Sequence, residues 1–135
     1  MFNSSKVRAA LVALTVSVTA FTAIASAEAG NRRPKEGSKA ETKVNIKGHD
    51  GDYYGYVKSS DEGHCADGRK VKVFKQTGHR QNPKHDLKIG TDYSEPNGGK
   101  YMWSIGNSGY KHGEFYAKVG KTDYCKGDTS KTISR

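Results

Sequence analysis

From Thr42 onward, apolar residues recur at alternate positions in short runs, and no stretch sustains the 3.6-residue period of a helix. Side chains alternate across a strand, so each run buries one face, and a facing sheet is the simplest cover for it. Seven runs have this form. They are 43–47 with Val44 and Ile46 inward, 53–58 with Tyr53 and Val57, 69–75 with Val71 and Val73, and 87–92 with Leu87 and Ile89. The last three are 100–105 with Tyr101, Trp103 and Ile105, 114–119 with Phe115, Ala117 and Val119, and 129–134 with Ile133. Turn residues separate them at 48–51, 67–68, 97–99 and 106–113. The pattern predicts an all-β fold, a seven-stranded antiparallel β-sandwich with Greek-key connections, over residues 42–135.

The chain before Thr42 is of another kind. Lys6 and Arg8 precede an uncharged stretch that ends in Ala25-Ser26-Ala27, and Glu28 is the first acid. This is the layout of a secretory signal peptide, residues 1–27, cleaved after Ala27. The stretch carries Thr15, Ser17, Thr19, Thr22 and Ser26, which makes it a poor membrane anchor, so no membrane span is expected after cleavage. Residues 28–41 hold no aliphatic side chain larger than Ala and many charges, and read as a disordered polar leader. Residues 28–135 are then only about a quarter apolar, a marginal core for about 100 residues. An exported chain with two cysteines predicts a Cys65–Cys125 disulfide. Closing a loop of about 60 residues contributes on the order of 4 kcal/mol.

The full chain has a net charge of +9, with 23 Lys and Arg against 14 Asp and Glu. Lys6 and Arg8 leave with the signal, and lysine dominates the bases that remain. Lys43, Lys47, Lys70, Lys72, Lys88 and Lys118 alternate with the apolar positions and so point outward. Such lysines keep exposed strands from pairing edge to edge; they also attract anionic polymers. Lysine lacks the planar fork that recognises phosphate in two places at once, so specific nucleic-acid binding is not expected.

Antiparallel strands sort the connecting loops to alternate ends of a sandwich. Cys65 and Cys125 fall at one end, which permits their bond. The other end collects the 48–52, 77–85 and 107–112 loops, with His49, Asp52, His79, Arg80, His85, Tyr110 and His112 as candidate ligand-binding residues. No histidine pair has compact metal spacing, and neither a metal nor another cofactor is expected. His112, Glu114 and Arg80 are the residues that a secreted ribonuclease or toxin would draw on, yet no nucleophile or phosphate-loop motif accompanies them. Tyr54, Tyr56 and Tyr116 point away from the apolar faces and would form a sugar-stacking platform if they shared one sheet.

The run Lys88-Ile89-Gly90-Thr91-Asp92-Tyr93-Ser94-Glu95-Pro96-Asn97-Gly98-Gly99-Lys100-Tyr101-Met102-Trp103, followed by Gly113-Glu114-Phe115-Tyr116-Ala117-Lys118-Val119, resembles carboxypeptidase-regulatory-like, transthyretin-like (prealbumin-like) domains. With Tyr54-Gly55-Tyr56-Val57-Lys58-Ser59, Cys65 ahead of Arg69-Lys70-Val71, and Cys125 ahead of Ser130, the likeness extends over about residues 54–134 to a group of small secreted actinobacterial proteins. It implies a prealbumin- or Ig-like sandwich and carries over no catalytic position. The expectation is a secreted, monomeric, non-enzymatic module that binds a cell-wall polysaccharide or other anionic polymer. The alternatives are a small secreted ribonuclease and a purely structural extracellular protein.

Overall fold

A computed structural model of the chain describes residues 38–135. The expected signal peptide and residues 28–37 of the expected leader lie outside the described residues. The elements, in chain order, are β1 (Thr42–Val44), β2 (Lys47–His49), β3 (Asp52–Ser59), α1 (Glu62–Cys65), β4 (Lys70–Gln76), β5 (Leu87–Tyr93), β6 (Glu95–Asn97), β7 (Lys100–Ile105), β8 (Glu114–Val119), β9 (Asp128–Thr129) and β10 (Ile133–Ser134). Every strand pairing is antiparallel. One sheet has the order β1-β3-β7-β6, with β2 also on β3; the other has β10-β8-β4-β5, with β9 also on β8. Among the described residues no helix is long and apolar enough to cross a membrane.

The expected seven strands therefore appear as ten, for local reasons. The first run breaks at Asn45, whose side chain accepts the Tyr56 amide at 2.6 Å while its own amide donates to Tyr56 O, so β1 and β2 pair separately with β3. Gly55 permits this: a β-carbon there would stand 2.1 Å from the Asn45 carbonyl oxygen. The last run breaks at Ser130, whose hydroxyl accepts the Ala117 amide at 2.8 Å and leaves β9 and β10 on either side. The extra strand, β6, contains Pro96 and lies at a sheet edge, where a missing amide donor is tolerated.

Between the sheets lie Val44, Ile46, Tyr53, Val57 and Trp103 from one side and Val71, Val73, Phe115, Ala117 and Val119 from the other. Tyr53 and Phe115 meet across the gap with ring centroids 4.6 Å apart. The expected inward residues hold except Leu87, which is 42% exposed. It sits opposite Lys75 near the end of edge strand β5, past an irregularity that leaves Ile89 without a partner between Gly90 and Lys88. Trp103 is buried with no hydrogen-bond partner for Nε1 among the described residues, a local cost on the order of 1–3 kcal/mol.

One end of the sandwich is closed by covalent and polar cross-links. Cys65, in the single turn of α1, is bonded to Cys125, as the sequence predicts. Ala40 bridges Cys125 through its amide to Tyr124 O and its carbonyl from the Lys126 amide, both at 2.9 Å, so the last residues of the expected leader are tied into the fold. Arg69 is 5% exposed, and its guanidinium donates to Cys65 O, Thr42 Oγ1 and Gly120 O. Burial pulls its pKa below the ordinary guanidinium value. Ser94 completes the closure by accepting the Arg69 amide and donating to Ala66 O. Replacing both cysteines with alanine is expected to cost about 4 kcal/mol. The thermal midpoint of the double variant should fall by roughly 20 °C; a melting curve that overlays the parent's excludes this role for the bond.

Candidate functional site

The 48–52 and 107–112 loops do come together. Asp50 and Gly51 turn β2 into β3 with φ of 50° and 92°. Ser108 donates through its amide and hydroxyl to Gly51 O, and the Asn107 amide donates to Asp52 Oδ1 at 2.8 Å. Asp52 thus fastens a loop through one carboxylate oxygen. Tyr110 is similarly engaged: its carbonyl accepts the Tyr53 hydroxyl at 2.8 Å, and Lys75 Nζ lies over its half-buried ring at 5.5 Å. His49, Asp50, Lys111, His112 and Arg135 line an open cleft of about 430 Å³. Lys111 pairs with Asp50 at 2.8 Å, and this contact holds the carboxyl below its usual pKa. Both side chains are exposed, so the pair is worth little to stability.

His79, Arg80 and His85 do not join this cleft. Their loop, 77–86, starts near the same end but folds down over the outer face of the sheet that contains β4 and β8. The cause is polar anchoring. Asp86 is 9% exposed and accepts the Thr77 amide and hydroxyl, the Asn82 amide and the Tyr116 hydroxyl. Burial opposes its ionisation, but these hydrogen bonds outweigh burial and bring its pKa down to about 2. Burial, and then the neighbouring carboxylate, push the Tyr116 phenol upward. Gln81 adds a second anchor through Ser130 O and Thr132 Oγ1. His79, Arg80 and His85 stay exposed on the loop surface.

The expected platform of three tyrosines is not formed. Tyr116 is fully buried under this loop, stacked on Phe74 with centroids 5.3 Å apart, whereas Tyr54 and Tyr56 belong to the other sheet. Tyr54 is 38% exposed, and Lys100 Nζ lies over the Tyr56 ring at 5.0 Å. The residues suggested for a ribonuclease are also distributed: His112 lines the loop cleft, the Glu114 carboxylate accepts from Gln76 Nε2 at 3.2 Å, and Arg80 is on the 77–86 loop. Among the described residues no group of three or more His, Cys, Asp or Glu side chains is placed to hold a metal ion.

A second cleft, of about 260 Å³, lies on the face that the 77–86 loop partly covers. Lys70, Lys72, Lys118, Phe74, Pro83 and Gly120 line it. Lys72 stands directly opposite Lys118, and Lys70 opposite Tyr93, which is 52% exposed. Among the described residues none of these lysines is paired with a carboxylate. The sequence contains the signal for the floor: Phe74 and Tyr116 occupy outward positions, and apolar side chains there require a cover. No protein-family model and no curated protein matches the chain.

The anchoring of the 77–86 loop has a pH signature. A depressed carboxyl stabilises the fold above its unfolded pKa, near 3.9, and that contribution is lost as pH falls through the folded value of about 2. Replacing Asp86 with alanine is expected to destabilise the domain by roughly 2–4 kcal/mol and to flatten the fall in stability between about pH 4 and pH 2. Chemical denaturation across that range checks both; an unchanged slope in the variant would place the acid sensitivity elsewhere.

Proposed function

We propose that the chain is a secreted, non-enzymatic module of the prealbumin- or Ig-like Greek-key class, which holds an anionic polymer of the cell envelope or extracellular space. The strand order supports the fold class. With β1 and β2, and β9 and β10, each taken together as an interrupted strand on one partner, eight strands remain, ordered first-second-sixth-fifth and eighth-seventh-third-fourth. Sequence-adjacent strands thus repeatedly change sheets, as in Ig-like sandwiches.

The functional reading rests on one observation: Lys70, Lys72 and Lys118 share a cleft with no carboxylate partner among the described residues, and they stand on β4 and β8. Lysines that guard against edge-to-edge pairing belong on edge strands. Here β4 is flanked by β5 and β8, and β8 by β4 and by β9 and β10, so edge protection does not account for them. Like charges directly opposite one another, as Lys72 and Lys118 are, destabilise a sheet. An anionic ligand beside both ammonium groups offsets that repulsion with two attractions.

Such binding is electrostatic and sensitive to salt. The secreted protein is expected to be retained on isolated cell envelope at low ionic strength and released near 1 M salt, where the screening length falls to about 3 Å. The Lys70→Gln, Lys72→Gln, Lys118→Gln triple variant should wash off at markedly lower salt. A protein wholly free in the medium at low ionic strength, or a triple variant retained like the parent, contradicts the proposal.

A further inference from the structure

The geometry points to an acidic glycan, a polymer of uronate type, as the ligand of the lysine face. This rests on the reading that the face binds a polyanion and adds the chemical class of that polyanion. Its basis is what surrounds the ammonium groups. Thr91 is in register with Lys72, Lys72 with Lys118, and Lys118 with Thr129. Four adjacent strands, β5, β4, β8 and β9, thus present a single row of hydroxyl, ammonium, ammonium and hydroxyl. At about 4.8 Å between strands, the row spans roughly 14 Å.

Beside this row is an aromatic surface. Lys70 is in register with Tyr93, and its Nζ lies 5.9 Å from the centre of the exposed ring. Phe74 and Pro83 add apolar lining to the same cleft. A polymer of bare phosphates has use for the ammonium groups and the hydroxyls but none for the aromatic surface. A chain of acidic sugars uses all three kinds of group: carboxylates meet the ammonium pair, ring hydroxyls meet Thr91 and Thr129, and the apolar face of a sugar ring lies on Tyr93. No arginine lines the cleft, so the two-point recognition that phosphate favours is not provided there.

The test compares polygalacturonate, inorganic polyphosphate and single-stranded nucleic acid, matched for charge and measured at one salt concentration by titration calorimetry. The expected order has polygalacturonate tightest by roughly tenfold. Tyr93→Ala should lose about tenfold toward polygalacturonate and leave polyphosphate binding unchanged, whereas Tyr93→Phe should retain the parent affinity. Lys72→Gln with Lys118→Gln should weaken both acidic polymers. Since Tyr93 is exposed, its variants are expected to melt like the parent, and a melting curve run alongside checks this. Polyphosphate or nucleic acid binding as tightly as polygalacturonate, or Tyr93→Ala binding like the parent, overturns the glycan assignment while leaving polyanion binding in place. Failure of all three polymers to bind overturns the polyanion reading itself, and the glycan assignment with it.

Discussion

The Cys65–Cys125 bond fixes the one end of the domain that apolar packing alone does not close. Both sulfurs are buried, and the bond joins the single turn of α1 to the segment after β8, 60 residues apart. Four residues of helix cannot hold themselves in place, because a first turn is costly to nucleate. Once the bond sets the position of α1, Cys65 O becomes an acceptor for Arg69, whose other donors reach Thr42 and Gly120. The buried guanidinium thus connects β1, α1 and the segment beyond β8 through neutral oxygens. Without the cross-link its acceptors would separate, and an unsatisfied buried cation is among the most expensive defects a small core can contain.

The outer face of the β4–β8 sheet holds a second, smaller packing unit, unlike a solvated sheet face. Phe74 and Tyr116 stack there, and Asp86 brings the 77–86 loop across them by bonding the Tyr116 hydroxyl at 2.7 Å. A buried carboxylate with four donors is a strong point of attachment, stronger than the exposed Asp50–Lys111 pair at the other loops. Through this attachment Pro83 reaches the lysine cleft. The arrangement that withdraws His79, Arg80 and His85 from the end of the sandwich therefore also builds one wall of the basic face.

The strand core was legible because period-2 burial leaves a strong mark. Val71, Val73, Phe115, Ala117 and Val119 all face inward, and β7 and β8 begin and end where the alternation does. Interruptions were less legible, since each depends on one side chain bonding a distant backbone: Asn45 with Tyr56, Ser130 with Ala117. Arg69 is in phase with the inward Val71 and Val73, but nothing in its local spacing discloses that three oxygens from residues far apart in the chain receive its guanidinium. For the loops, alternation of direction rightly joined 48–52 to 107–112. It placed 77–85 wrongly, because a loop's starting end does not determine where its buried anchor pulls it. Phe74 and Tyr116, both outward by alternation, contained the missing information.

Lys72 and Lys118 bear on how stability and function share this small domain. The core is thin and, among the described residues, leaves Trp103 Nε1 without a partner, so little stability is available to absorb avoidable repulsion. Two ammonium groups opposite each other on central strands are such a repulsion, and an acid at either position would remove it. Local rules of this kind are broken mainly where a site requires it. Lys43 also stands opposite a lysine, Lys58, but it finds the carboxylate of Asp128 at 4.0 Å, as Lys111 and Lys126 find Asp50 and Glu41. What distinguishes the Lys72–Lys118 pair is its place on two interior strands beside the Thr91 and Thr129 hydroxyls and the exposed Tyr93 ring, and it is on this convergence that the proposed binding face rests.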